Sequence, residues 1–172
     1  MRRVRYSVAM SLDGYIAGPN GEYDWIPMDP DIDFGAMFQD LDTVLMGRKS
    51  WEAARKQGGY GMPNKMKAYV FSSTLRQADC PDAVVSSDPK ATVAKLKKES
   101  GKNLWLFGGG ELFRSFVDLG LVDDLEIAIV PVLLGGGLPM LPGAAKLAKI
   151  TLTSHRVYEK TGTVLLHYIL HP

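Results

Sequence analysis

Short apolar runs recur along the first two thirds of the chain, separated by stretches in which charged and apolar positions mix. The runs at residues 4–10, 43–47, 67–72 and 103–108 are rich in β-branched and aromatic side chains, and each ends at or next to a glycine or a serine. This length and composition are typical of buried β-strands. We therefore predict four strands in this part of the chain.

Helical patterns lie between these runs. Residues 31–41 open with acidic side chains, which favour a helix N-terminus. Residues 88–100 combine Asp88 as an N-cap with Pro89 in the first turn, and a third helix is predicted over residues 110–119. Strand and helix thus alternate along the chain, as they do in α/β proteins.

The last third of the chain carries strand patterns alone. They cover residues 124–134, 150–160 and 162–171, and a short turn near Gly162 joins the last two. A strand-rich end after an alternating part predicts a mixed sheet with a mainly parallel centre and an antiparallel C-terminal hairpin. We assign residues 1–172 to one α/β domain, a length that suits a single core.

Composition narrows the class of protein. Lys and Arg total 20 against 19 Asp and Glu, so the net charge of +1 lacks the basic field of nucleic-acid-binding proteins. Cys80 is the only cysteine, which excludes an intrachain disulfide and a multi-cysteine metal cluster. No apolar run approaches the ~20 residues of a membrane span, and no export-type cleavage site follows residues 1–10. We expect a cytoplasmic protein with a small-molecule ligand and no metal, nucleic acid or membrane partner.

The run at residues 43–47 ends abruptly in two cations. Arg48, Lys49 and Ser50 fall in the first turn of a helix predicted to follow Gly47, where positive charges oppose the helix dipole. A bound anion would offset that cost, because free N–H groups, a hydroxyl and two cations together suit a phosphate. From this motif alone, the alternative that both cations are solvated surface charges stays open.

A second strand runs into the glycines at 108–110 and then into a helix. Backbone without Cβ atoms allows a ligand to approach closely, although Phe113 occupies the third glycine position of the dinucleotide fingerprint and a flexible turn is the alternative. Two such turns in one small α/β domain predict a ligand with two separated phosphate groups beyond the carboxyl ends of the strands. A third turn at residues 71–76, with three hydroxyls and Arg76, suits a ribose phosphate.

The motifs VAMSLDGYIAG, TVLMGRKSWE, AYVFSST and WLFGGGELF, in this order, resemble the dihydrofolate reductase superfamily over nearly the whole chain. The resemblance implies a dihydrofolate reductase-like central mixed sheet of about eight strands flanked by helices, with NADPH across its carboxyl edge. It also implies a cis peptide bond between Gly108 and Gly109. The backbone of Ala9 and Ile16 would bind the nicotinamide carboxamide. The other cofactor-binding residues that the resemblance implies are Gly47, Arg48, Lys49 and Ser50 at the phosphates, Ser72, Ser73 and Arg76 near the adenosine and its 2′-phosphate, and Phe107, Gly108, Gly109, Gly110, Glu111 and Leu112 at the pyrophosphate.

The substrate implied by true dihydrofolate reductases fits less well. Those enzymes carry one carboxylate on the first helix, where this chain offers Asp29, Asp31 and Asp33. Counting back from the MGR motif selects Asp31 as the catalytic acid, and the alternative is that all three simply begin a helix. Ala128 and Lys65 replace the threonine and the arginine that serve folate, and both changes argue against a folate substrate.

The SLDGYIAG motif, followed by Trp25, and the IVPVLLGGGLPMLP segment are more similar to the reductase domain of riboflavin biosynthesis and its stand-alone bacterial relatives. This similarity implies NADPH-dependent reduction of 5-amino-6-(5-phosphoribosylamino)uracil or a related pyrimidine, often by a homodimer joined at the far end of the sheet. Asp13, Trp25 and Lys65 are then substrate-binding candidates, with Asp13 as a turn former and Trp25 as a packing residue in the alternative. Tyr15 stands where the biosynthetic enzymes carry a basic or small polar residue. Dihydrofolate reduction and non-catalytic nucleotide binding remain alternative functions.

Overall fold

Strands and helices alternate in the computed structural model, which describes residues 1–56, 58, 66–143 and 147–171. The strands are β1 (Val4–Ser11), β2 (Tyr15–Ala17), β3 (Leu41–Gly47), β4 (Lys67–Phe71), β5 (Val84–Ser86), β6 (Asn103–Gly108), β7 (Asp124–Val130), β8 (Leu138–Pro139), β9 (Lys149–Tyr158) and β10 (Thr163–His171). The helices are α1 (Phe34–Gln39), α2 (Arg48–Lys56), α3 (Pro89–Lys98) and α4 (Gly110–Asp118).

Eight strands form one central sheet in the order β5-β4-β3-β6-β1-β7-β10-β9. The neighbours from β5 to β7 are parallel, whereas β10 runs antiparallel to both β7 and β9. A separate antiparallel pair joins β2 to β8. The predicted mixed sheet, with its parallel centre and its antiparallel C-terminal hairpin, is confirmed.

Some element boundaries differ from the sequence prediction. Helix α1 begins at Phe34 and not at residue 31, because Asp33 is its N-cap and its Oδ1 accepts the Ala36 N–H at 2.9 Å. Strand β7 ends at Val130 and not at residue 134, since Pro131 has no N–H to donate to the sheet. The three strands that were not predicted are β2, β5 and β8, which are too short to show a period.

The two faces of the sheet carry separate apolar clusters, because side chains alternate along each strand. Tyr6 of β1 and Leu45 of β3 point to the face covered by α3 and α4, where the ring of Tyr6 stacks on that of Phe113 at 3.9 Å. The opposite face carries Trp51 of α2 and Trp105 of β6. The second face is the one on which α1 also lies, with Phe38 5.0 Å from the Trp105 ring.

The parallel strands place their carboxyl ends at one edge of the sheet. The turns after β3, β4 and β6 and the loop after β1 therefore meet there, as expected for a ligand site in an α/β sheet. In the part of the chain that the structure describes, no helix is long and apolar enough to cross a membrane. The same residues include no group of acidic, histidine or cysteine side chains arranged to hold a metal ion.

Candidate active site

The two glycine turns predicted to bind phosphate lie side by side. Strands β3 and β6 are neighbours, and Met46 pairs with Gly108. A Cβ atom built on Gly47 would lie 4.0 Å from the Gly108 carbonyl oxygen, and one built on Gly109 would lie 3.6 Å from Ser50 Oγ. The peptide bond between Gly108 and Gly109 is cis, as the resemblance implied. Gly108 has a φ of +107°, a conformation that side chains rarely adopt.

Helix α4 begins directly at this pair of turns. Its N-cap is Gly109, which has no side chain to bond the free N–H groups of the first turn. The N–H groups of Gly110, Glu111 and Leu112 therefore face the edge of the sheet without a side-chain cap. The Glu111 carboxylate is exposed in this turn and would repel a phosphate, so that only its backbone suits the predicted role. Phe107 precedes the turn and packs edge-on against Trp105, with ring centroids 5.1 Å apart.

Arg48 connects the start of α2 to the turn after β4. Its Nη1 donates to Thr74 Oγ1 at 3.0 Å, and its Nε lies 2.7 Å from Glu52 Oε1. In the same turn, Ser72 Oγ accepts the N–H groups of Thr74 and Leu75 at 3.2 and 3.0 Å. The structure thus brings Arg48 and Ser72 to one corner of the carboxyl edge.

The remaining cations and hydroxyl of this corner are more exposed. Lys49 and Ser73 both lie at the surface. Arg76 has 80% of its side chain exposed, and its Nε lies 3.0 Å from Asp79 Oδ2. The hydrogen bond that the Arg76 guanidinium donates to the Asp79 carboxylate raises the pKa of Arg76. Both arginines have a carboxylate partner, Asp79 for Arg76 and Glu52 for Arg48, but Arg48 also reaches across to Thr74.

A mainly apolar cavity of about 400 Å³ lies on the α1 face of the sheet. Its strand side is lined by Ala9 of β1, by Ala128 of β7 and by Leu165 of β10, which pair with one another across the sheet. Its other side is formed by Ile26 and Met37, from the loop before α1 and from α1 itself. The predicted contact Ala9 lies on this lining. Ile16 lies outside the lining, on β2.

Polar groups collect in this cavity on three neighbouring strands. Ser7 pairs with Glu126, and Glu126 pairs with His167, so that the three side chains form a row on the cavity face. Glu126 is 8% exposed, and its Oε2 lies 3.5 Å from His167 Nδ1. Trp105 also lines the cavity and is 6% exposed. We did not predict these residues from the sequence, although an acid inside the apolar LEIAIV strand was a signal that could have revealed Glu126.

The three acids proposed from the sequence are held apart from one another. Asp31 Oδ1 lies 3.0 Å from Lys160 Nζ, and this half-exposed carboxylate is outside the cavity lining. Asp29 is 3% exposed and accepts hydrogen bonds from the Asp31 N–H and the Thr161 hydroxyl, both at 2.9 Å. The N–H of Asp31 makes the largest contribution to lowering the pKa of Asp29. Asp33 lines the cavity, but its carboxylate caps α1.

The substrate-binding candidates are likewise spread out. Asp13 accepts hydrogen bonds from the Ser11 hydroxyl at 2.6 Å and from the N–H groups of Leu134 and Gly135 at 3.1 and 2.7 Å. Asp13 lies outside the cavity lining, and its hydrogen bonds hold the loop after β7. Trp25 is half-buried beside the lining residue Ile26, and its Nε1 donates to a backbone oxygen at 3.1 Å. Lys65 lies outside the described residues.

Comparison with known proteins identifies the family. Residues 2–164 match the family model of the RibD C-terminal domain. The chain belongs to the RibD C-terminal domain family. Among curated proteins, this RibD-type chain is 34% identical to the uncharacterized protein YyaP of Bacillus subtilis (strain 168), an alignment that covers 97% of this chain and 94% of YyaP.

Solved structures share the fold of this RibD-type chain. A putative riboflavin biosynthesis protein from Shewanella sp. PV-4 superposes with a TM-score of 0.84 at 24% identity, covering 100% of both chains. A diaminohydroxyphosphoribosylaminopyrimidine deaminase/5-amino-6-(5-phosphoribosylamino)uracil reductase from Thermotoga maritima superposes with a TM-score of 0.70 at 16% identity. It covers 99% of this chain and 57% of that one. At these identities the superpositions show a shared fold.

Proposed function

We propose that the protein is an NADPH-dependent reductase that transfers hydride to a pyrimidine or pteridine type of substrate. The proposed activity most resembles the reduction of 5-amino-6-(5-phosphoribosylamino)uracil in riboflavin biosynthesis. The observation that carries the proposal is the pair of glycine turns that lie side by side at the carboxyl edge of the sheet, whose α1 face also carries an apolar cavity of about 400 Å³. Membership of the RibD C-terminal domain family supports a reductase-like role of the riboflavin-biosynthesis type.

The residues at the edge fit a dinucleotide. A Cβ atom on Gly47 or Gly109 would meet its nearest neighbours at 3.8 and 3.6 Å, without a clash, and would occupy room that a phosphate needs. The uncapped N–H groups at the start of α4 and the hydroxyl of Ser50 are donors for the pyrophosphate. Arg48, held at the Ser72 corner by Thr74, is our choice for the 2′-phosphate. When bound, NADPH supplies the hydride.

The chain's own residues have three tasks in the reaction. The apolar walls formed by Ala9, Ala128 and Leu165 exclude water and align a planar ring. The backbone of Ala9 and Ile16 holds the carboxamide, as proposed from the resemblance. Asp31 is the proposed source of the proton, and because its carboxylate stands at the rim beside Lys160, it would act through water.

A non-catalytic nucleotide-binding role is the second candidate. The observation that favours it is the pairing of Asp31 with Lys160, which turns the proposed proton donor away from the cavity. Folate reduction is a weaker candidate, because Ala128 lies on the cavity lining and offers no hydroxyl to a pterin ring.

Titration of the protein with NADPH and NADH, followed by quenching of tryptophan fluorescence, tests the cofactor. Binding with a strong preference for NADPH supports the proposal, and a screen of pyrimidine and pteridine substrates for NADPH oxidation then tests catalysis. Absence of binding to both dinucleotides would refute the reductase. Binding without oxidation of any substrate in the screen would favour the non-catalytic role.

We further propose that two copies of the chain pair through β9. This strand is the outer edge of the sheet, and Ile150, Leu152 and Val157 are 46, 48 and 54% exposed. The register shift in the β9–β10 pairing at His167/Tyr168 puts these three side chains on one face, opposite the cavity. A long edge strand with an exposed apolar face is a surface that proteins usually cover.

A further inference from the structure

We infer that Glu126, Ser7 and Trp105 bind the polar edge of a planar heterocycle in which an N–H group stands beside a carbonyl. Glu126 accepts the ring N–H, and the indole N–H of Trp105 and the hydroxyl of Ser7 donate to the ring carbonyl. The inference rests on the proposed function, because it specifies the part of the substrate that the cavity recognises.

Strand register places the acceptor and one donor next to each other. Ser7 on β1 and Glu126 on β7 are direct partners in the parallel pairing, and Glu126 and His167 are direct partners in the antiparallel pairing with β10. Side chains that are direct partners share one face of a sheet. All three residues line the cavity, so the row is part of its wall.

The polar groups of Glu126, Ser7 and Trp105 are buried and have few or no hydrogen-bond partners in the portion of the chain that the structure describes. Glu126 is 8% exposed, and among the described residues its polar contact is His167, at 3.5 Å from Oε2. Ser7 Oγ and Trp105 Nε1 are buried and have no hydrogen-bond partner within the described part of the chain. Buried polar groups in proteins are nearly always hydrogen-bonded. Two donors without a hydrogen-bond partner among the residues described, beside a buried carboxylate in a mainly apolar cavity, therefore point to a polar ligand.

The set of groups selects the chemistry of that ligand. One anionic acceptor and two donors match the alternating N–H and C=O groups of a pyrimidinedione or an aminopyrimidinone. An apolar ring of the same size would leave the Glu126 carboxylate desolvated, with the 3.5 Å contact to His167 as its only partner among the described residues, which is unfavourable. The volume of about 400 Å³ accommodates such a ring between Ala9 and Ala128 on one side and Ile26 on the other.

A pair of ligands tests the inference on the wild-type protein. Isothermal titration calorimetry would compare 5,6-diaminouracil with 5,6-diamino-1,3-dimethyluracil, in which both ring N–H groups are methylated. We expect the first to bind at least about tenfold more tightly, because methylation removes the donor that Glu126 accepts. Equal affinities, or binding of neither compound, would overturn the inference.

Substitutions at Glu126 and Trp105 test which residue causes the preference for diaminouracil. Glu126→Gln should reduce the preference for diaminouracil over its dimethyl analogue several-fold, whereas Trp105→Phe keeps the ring packing and should weaken both compounds alike. Glu159→Gln, at an exposed position in the turn after β9, is the matched control and should keep the wild-type preference. A folded Glu126→Gln protein, judged by circular dichroism, that keeps the full preference would also overturn the inference.

Titration of the same proteins with NADPH separates the two proposals. If the protein discriminates between the two pyrimidines but does not bind NADPH, the reductase proposal is refuted and the inferred pyrimidine site is supported. NADPH binding without pyrimidine discrimination would refute the inferred pyrimidine site and leave the reductase proposal intact.

Discussion

Asp31 and Lys160 form an ion pair in which Oδ1 and Nζ are 3.0 Å apart, joining the segment before α1 to the turn between β9 and β10. A second contact joins the same two segments. The buried Asp29 accepts a hydrogen bond from the Thr161 hydroxyl at 2.9 Å. The first acids of the WIPMDPDIDF segment thus hold that segment against the hairpin. Asp33, the third acid, caps the helix.

We expect the Asp31→Asn variant to separate catalysis from structure. If Asp31 delivers the proton, substrate reduction should fall about a hundredfold or more. The free energy of unfolding should change by less than about 1 kcal/mol, because both partners of this ion pair are more than half exposed. The control is Lys160→Met, which removes the partner and keeps the carboxylate. Unchanged turnover in Asp31→Asn would remove Asp31 from the mechanism.

We expect Arg48→Ala to weaken NADPH binding by roughly ten- to a hundredfold, the usual value of charge-assisted hydrogen bonds. NADH has no 2′-phosphate and should bind the variant and the wild type nearly equally. Fluorescence titration with both dinucleotides gives the ratio. The parallel variant Arg76→Ala should have a smaller effect, since the Arg76 side chain is 80% exposed, against 48% for Arg48, which also reaches Thr74. Equal loss for NADPH and NADH would contradict the assignment of Arg48.

Two neighbouring glycines should respond differently to alanine. A Cβ atom on Gly109 meets only Ser50 Oγ at an ordinary distance of 3.6 Å, so Gly109→Ala should fold and lose NADPH affinity at least about tenfold. A Cβ atom on Gly110 would collide with the Pro139 carbonyl oxygen and lie 3.0 Å from that of Met140. Gly110→Ala should therefore destabilise the protein by about 1–3 kcal/mol. Thermal unfolding and NADPH titration of both variants measure the difference, and normal NADPH binding by Gly109→Ala would contradict the proposed cradle.

We expect Asp13 to make stability depend on pH. The Ser11 hydroxyl, followed by the N–H groups of Gly135 and Leu134, lowers the pKa of Asp13 below the value of about 3.9 in unfolded chains. A carboxyl whose pKa is lower in the folded state stabilises the protein above the unfolded pKa, and this contribution is lost as the pH falls through the folded pKa. Asp13→Asn should therefore lower the Tm at pH 7, and the difference from wild type should shrink below about pH 4. The exposed Asp24→Asn is the control, and a constant difference at all pH values would argue against this linkage.

We expect Leu152→Lys to separate a dimer into monomers, because it puts a charge in the centre of the exposed apolar stripe on β9. Sedimentation equilibrium of the wild type and the variant gives the oligomeric state. Ser154→Lys, on the other face of the same strand, is the matched control. A wild-type protein that is monomeric at all concentrations tested would refute the proposed pairing.

Much of the fold could be predicted from short stretches of sequence. The strands β1, β3, β4 and β6 were recognised because each is a buried run whose pattern is complete within a few residues. The turns at Gly47 and at Gly108 were recognised because their chemistry is local and their residues are adjacent in the chain. The start of α1 was misplaced, since three acids at alternate positions offer three N-caps and only the packing of the helix selects Asp33.

By itself, the sequence determined the order of the longer strands and of the helices, the two glycine turns at the carboxyl edge, and the motifs that agree with membership of the RibD C-terminal domain family. Only the tertiary structure decided which acids face the cavity. Asp31 precedes α1 as the sequence predicted, but Lys160, 129 residues away in the chain, binds its carboxylate outside the cavity lining. Glu126 reaches the lining because the register of β7 with β1 and β10 sets the face on which it lies. That register depends on pairing between distant strands, which a local pattern does not contain.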